Sequence, residues 1–119
     1  MNQYFIHLIF CLISVNIANA TDRLPIYKNQ LLSKARISLL RDGWKPYVTL
    51  DMTNKLNEVG LTEREYIHAG YIEVGNCGAS TPYCEFNYRK NEKCLHVVAG
   101  GDEDKIIKET ISKWSYTCK

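Results

Sequence analysis

The stretch GYIEVGNCGASTPYCEFNYRKNEKCLHVVAG, residues 70–100, decides the fold. Residues 71–74 alternate apolar and polar, and residues 75–82 are rich in turn formers. Residues 84–88 alternate again, residues 89–92 make a polar break, and residues 94–98 return as a third run. Short alternating runs between turn segments predict an antiparallel meander, because successive strand side chains point to opposite faces. Cys77, Cys84 and Cys94 stand at its corners, and Cys118 lies next to the C-terminus.

Side-chain parity discriminates among the pairings of these cysteines. With residues 89–92 as the turn, Tyr88 faces Lys93, Phe86 faces Leu95 and Cys84 faces Val97. Cys84, Phe86 and Leu95 then share one face of the sheet, and Cys94 projects from the other. A Cys84–Cys94 bridge would have to cross the sheet, which the short reach of a disulfide forbids. Cys77–Cys84 and Cys94–Cys118 are expected, with Cys77–Cys94 plus Cys84–Cys118 as the second choice. Zinc is the competing use of four cysteines, but no C-x₂-C pair is present, so no metal is expected.

Residues 1–20 read as a signal peptide. An apolar run from Phe5 to Val15 is broken only by His7 and Ser14, and Ala18-Asn19-Ala20 has the small-x-small form of a cleavage site. The run is too short to span about 30 Å of hydrocarbon, and Phe10 stands before Cys11 where lipoprotein processing needs a small residue. No membrane anchor is expected after cleavage. Residues 21–119 are then one exported, disulfide-stapled domain, periplasmic or secreted. The net charge of +2 shows no clustering along the chain, which argues against nucleic acid as partner.

Ahead of the meander, Leu32, Ala35, Leu39 and Leu40 form a helical stripe, with Asn29 as a candidate cap and Gly43 as a left-handed stop. Trp44 is expected to fold back over the helix end, and residues 47–50 to form a first strand. Residues 51–60 are ambiguous, with a short helix capped by Asp51 or Thr53 as one reading. Thr62 and Glu65 have capping-box spacing before a short helix ending at His68. Behind the meander, Ile107, Ile111 and Trp114 at helical spacing predict a helix of about ten residues, and an extended piece closes the chain.

Little in the chain carries chemistry. His96 reads as a half-exposed strand residue, and His68 ends a helix where a cation is favourable. No G-x-S-x-G, H-E-x-x-H or phosphate-binding glycine loop is present. Asp102-Glu103-Asp104 lacks the distal glutamate of a calcium hand and reads as helix capping. Glu63 and Glu65 sit two apart on one helix and point away from each other. An enzyme is not expected, and neither is a cofactor. Aromatic residues are more suggestive, because rigid rings give contact area at low entropy cost. Tyr83 in the stapled loop, Tyr88 and Arg89 beside the hairpin turn, and Tyr116 before the last cysteine are the candidate partner-binding residues.

At Ala35-Arg36 through Leu39, Gly43-Trp44-Lys45-Pro46, Gly70-Tyr71, Cys84-x-Phe86-Asn87-Tyr88 and Cys94-Leu95, the chain resembles a group of small, mostly uncharacterised exported proteins of Gram-negative bacteria. Its order of elements is also similar to half of the beta-lactamase-inhibitor-protein fold. That likeness implies a binding or inhibitor module rather than a catalyst. The reading is an α+β domain with an N-terminal helix, short helices, an antiparallel meander of about four strands and two disulfides. Its expected function is to hold an exported enzyme or toxin, as an inhibitor or immunity-type protein. The alternative is a module that binds a small molecule or a cell-envelope ligand.

Overall fold

Leu32, Ala35 and Leu39 lie on one stripe, and they fold as α1, Leu32–Arg41, with those three buried; Leu40, expected on the same stripe, is exposed instead. The computed structural model describes residues 23–50, 60–78, 81–101 and 108–118. The leader at residues 1–20, the ambiguous segment 51–59 and the acidic run at 102–104 lie outside the described residues. After α1 come β1 (Lys45–Pro46), α2 (Leu61–His68), β2 (Val74–Cys77), β3 (Tyr83–Lys90), β4 (Lys93–Gly100) and β5 (Thr110–Ser115). This is an α+β fold.

β3 and β4 form the central hairpin, and β5 adds antiparallel to β4. β1 and β2 share the far edge of β3, with Lys45 opposite Arg89 and Val74 opposite Phe86. The outer edge of β5 is not bare at its start. Asn29 N–H donates to the Ile111 carbonyl, and Ile111 N–H to that of Gln30, both at 2.8 Å. Leu32 N–H donates to the Glu109 carbonyl at the same distance, so a strand carbonyl takes up one of the helix's first donors.

One face of the sheet carries Cys84, Phe86, Tyr88, Leu95, Val97, Ala99 and Ile111, all buried with Leu32, Ala35 and Leu39 of α1 and Tyr66 of α2. Tyr66 meets Phe86 edge-on at 5.1 Å and Tyr71 at 5.8 Å. Aromatic burial of this kind is worth about 1.5–3 kcal/mol per side chain. Cys77–Cys84 and Cys94–Cys118 are the two disulfides, the first of the two pairings that parity leaves open. Disulfides point to an oxidising, extracytoplasmic compartment.

Several local expectations shift. The hairpin turns at Asn91 and Glu92, with Asn91 left-handed at φ 55, so Tyr88 faces Leu95 and Phe86 faces Val97. That is a register two residues from the expected one. An even shift leaves every side chain on its expected face, so the disulfide reasoning survives. The strand expected at 47–50 is β1 instead, prolonged only by Tyr47 N–H to the Asn87 carbonyl at 2.9 Å. The rest of that edge of β3 is already taken by β2. The strand expected from residue 71 begins at Val74, because residues 71–74 make a turn that carries Glu73 into the core.

The C-terminal helix is a correction. Residues 105–107 lie outside the described residues, and Thr110–Ser115 is a strand. Lys113 faces Val98 while Ile111 faces Ala99, so Ser112 is an extra residue in the ladder. The bulge reverses parity and puts Ile111 and Trp114 on one face at a spacing of three. A bulged strand thus mimics a helical period. Both expected caps also fail. Asn29 is a left-handed turn residue at φ 69, and α1 starts from Leu31 with no side-chain cap. Thr62 lies inside α2, whose cap position is Gly60, and the carboxylate of Glu63 instead accepts the Cys77 N–H at 2.9 Å.

Candidate binding surface

Four separate segments meet where the β3–β4 hairpin turns. α1 ends at Arg41, and Gly43 at φ 92 reverses the chain. Trp44 N–H then donates to the Leu39 carbonyl at 3.0 Å, which tucks the indole under the helix end as expected. The N-terminal lead brings Arg23 and Leu24, the turn brings Lys90 to Lys93, and the Cys94–Cys118 bridge holds the C-terminal strap with Tyr116. Between them lies a cleft of about 600 Å³. Its rim carries Arg23, Lys90 and Lys93 with Asp42 and Glu92, and the Lys90 ammonium sits 3.5 Å from the Asp42 carboxylate. The Trp44 indole is 4 % exposed, and its N–H has no hydrogen-bond acceptor.

The candidate residues do not form one patch. Tyr116 is exposed and lines the cleft. Arg89 lies across the hairpin in a second groove, its guanidinium 5.8 Å from the centroid of the Tyr47 ring. Tyr83 is exposed at the opposite end of the hairpin, facing Gly100. Six residues of strand put it roughly 20 Å from Arg89. Tyr88 is a correction: it is 0 % exposed and offers no surface. It sits mid-strand opposite Leu95, on the face covered by helices, where the two-residue register shift carries it away from the turn.

Tyr88 instead belongs to a buried ionic cluster. Its hydroxyl donates to Glu73 at 2.9 Å, and Arg36 Nε and Nη2 donate to the two carboxylate oxygens at 2.5 and 3.3 Å. Arg36 Nη2 also reaches the Gly70 carbonyl at 3.1 Å, and the guanidinium lies over the Tyr71 ring. The hydrogen bond to Glu73 raises the Arg36 pKa. Burial raises that of Tyr88 well above the phenol range, and the Glu73 charge adds to it. These shifts keep Arg36 charged and Tyr88 a neutral phenol. It is a structural clasp between α1 and the sheet.

His96 is 4 % exposed rather than half-exposed. Its Nδ1 lies 3.1 Å from Asn87 Oδ1 and its Nε2 3.4 Å from Glu85 Oε1, so both ring nitrogens face side chains of β3. Ser115 is its neighbour on β5, but that hydroxyl is hydrogen-bonded to Thr117 at 3.0 Å. Among the described residues no three His, Cys, Asp or Glu side chains gather as a metal site requires.

Glu109 is the one carboxyl with a large shift among the described residues. Burial lifts its pKa from 4.5 to about 7, and its Oε2 has no hydrogen-bond partner. The folded chain therefore holds a proton that the unfolded chain releases. Stability contributed by the neutral form is present below the unfolded value and is lost as pH rises through about 7. Thermal melts from about pH 4 to about pH 8 are expected to fall for the wild type more steeply than for Glu109→Gln. Parallel curves for the two proteins would refute the assignment.

Charge grouping is what sequence reading missed. Residues read as unclustered along the chain, namely Arg23, Lys45, Arg89, Lys90 and Lys93, converge on the hairpin end. Pairing of β1 with β3 brings Lys45 to Arg89 over a separation that no local pattern reveals. Comparison with protein-family models, curated proteins and solved structures found no match to this chain.

Proposed function

We propose that this is an exported, non-enzymatic binding protein of the inhibitor or immunity type. It holds another protein in the periplasm through the cleft at the hairpin end. The observation that carries the reading is the cleft itself, formed by four segments and closed by the Cys94–Cys118 bridge. A tyrosine at the mouth, a tryptophan in the wall and a charged rim are the anatomy of an interface core and its surround. The engagement of both His96 nitrogens supports binding over catalysis.

One observation favours the second reading, a small-molecule or cell-envelope ligand. The cleft volume of about 600 Å³ lies inside the usual range for ligand sites, about 300–1,000 Å³. The two readings separate in a single experiment. The mature chain, Tyr116→Ser and Tyr27→Ser are immobilised and exposed to periplasmic extract, Tyr27 being an exposed tyrosine that does not line the cleft. A protein retained by wild type and Tyr27→Ser but lost from Tyr116→Ser is the expected result. Retention of no protein, or equal retention by all three, would remove the proposal.

A further inference from the structure

The sheet sets cations directly opposite one another where the hairpin turns. Lys45 faces Arg89 across the β1–β3 pair, and Lys90 faces Lys93 across the β3–β4 pair. Like charges at directly opposed positions are destabilising, and at Lys90 the Asp42 carboxylate 3.5 Å away offsets this. The two pairs lie on different faces, since Arg89 and Lys90 are consecutive in one strand. Lys90 and Lys93 border the Trp44–Tyr116 cleft, while Lys45 and Arg89 border a separate groove of about 450 Å³.

That groove is formed by Gly43, Lys45, Pro46, Tyr47, Arg89, Lys90 and Asn91, so its described lining holds three cations, of which Lys90 is already paired with Asp42 at 3.5 Å. The Tyr47 ring carries the Arg89 guanidinium on its face, which fixes the plane of the fork and leaves its edge for a bidentate acceptor. Lys90 and Asn91 belong to both the groove and the cleft, so the two hollows are neighbours across the turn. On the cleft side the buried indole N–H of Trp44 is a further donor without an acceptor. The donors on both sides of the turn are suited to an acceptor-rich ligand.

We propose that the groove receives the carboxylates of an acidic segment of the protein partner, with Arg89 as the pairing group and Lys45 beside it. This rests on the cleft being the contact surface, and it names the chemistry of what binds there. A membrane surface fits less well. Asp42 and Glu92 line the adjoining cleft, and a continuous anionic bilayer would press against both. A protein segment places carboxylates over the cations alone and sends one apolar side chain between Leu24, Trp44 and Tyr116. The opposed cations also have a kinetic role, since a local positive field speeds encounter with an acidic partner.

The test uses the mature chain labelled with ¹⁵N and four probes. They are a Glu-rich peptide with a single Leu, the same peptide with Lys for every Glu, inorganic phosphate, and phosphatidylglycerol vesicles. The Glu peptide is expected to shift the Lys45 and Arg89 resonances, and the Lys peptide to leave them unmoved. Lys45→Gln/Arg89→Gln is expected to weaken the Glu peptide about tenfold or more, while its melting temperature stays level or rises because the opposed pair is gone. A lower melting temperature with unchanged peptide affinity would assign the pair a structural role and overturn the proposal. So would phosphate or vesicles binding the same residues as tightly as the Glu peptide. If the protein captured through Tyr116 is held equally by Lys45→Gln/Arg89→Gln, this inference fails and the binding reading stands. If Tyr116→Ser has no effect either, both fail.

Discussion

Arg36→Met is expected to cost about 3–5 kcal/mol of unfolding free energy, the largest effect of any single charge removal in the described fold. The Glu73 side chain is 0 % exposed, whereas that of Arg36 is 24 % exposed. Removing the arginine leaves a carboxylate in the core with, among the described residues, only the Tyr88 hydroxyl to solvate it. Removing the glutamate leaves a guanidinium that already touches water and can swing out. Glu73→Leu is therefore expected to be milder than Arg36→Met, although both delete the same ion pair. The double variant Arg36→Met/Glu73→Leu is expected to recover most of the loss, because an apolar pair of similar volume escapes the desolvation cost altogether. Urea unfolding midpoints at constant m-value decide it. Equal single-variant losses would show that the difference in burial does not govern the cluster.

Opening the Cys94–Cys118 bridge by Cys94→Ser/Cys118→Ser is expected to cost about 3 kcal/mol, against about 2 kcal/mol for the Cys77–Cys84 pair. The reason is loop length. The first bridge joins residues 24 apart and the second residues 7 apart, so the first removes more freedom from the unfolded chain. The consequences for the surface differ as well. Cys94–Cys118 holds the strap that carries Tyr116 over the cleft, so its loss is expected to abolish partner capture along with the drop in stability. Cys77–Cys84 braces β2 against β3 at the other end of the sheet, so its loss is expected to leave capture intact at a temperature where the variant is folded. Equal loss of capture from both variants would show that the strap is not what shapes the site.

These two expectations draw on different levels of the chain, and the contrast shows where sequence reading succeeds. The disulfides were legible because parity is robust. A two-residue register error leaves Cys84 and Cys94 on opposite faces, so alternation alone excludes a Cys84–Cys94 bridge, and the folded chain selects the expected one of the two remaining pairings. The buried clasp was not legible. Glu73 sits in an alternating run at the position a strand would give to solvent, and Arg36 lies off the apolar stripe of α1. The two meet over 37 residues of chain, and no short-range pattern encodes a contact at that distance. The C-terminal segment fails for a different reason. A bulge at Ser112 imposes the spacing of three that a helix would also show, so two structures share one signature.

By itself the sequence determined the class of fold, the exclusion of a Cys84–Cys94 bridge, the stop of α1 at Gly43 and the inward turn of Trp44. Each rests on side-chain alternation, backbone freedom or helical spacing, which act over a few residues and hold in any tertiary setting. Only the folded structure decided that Tyr88 is core, that Glu73 is a buried counter-ion, and that Arg23 and Lys45 join Arg89, Lys90 and Lys93 at one end of the sheet. Strand pairing, the turn at residues 71–74 and the packing of α1 and the N-terminal lead set those outcomes, and each is chosen by packing across the whole domain.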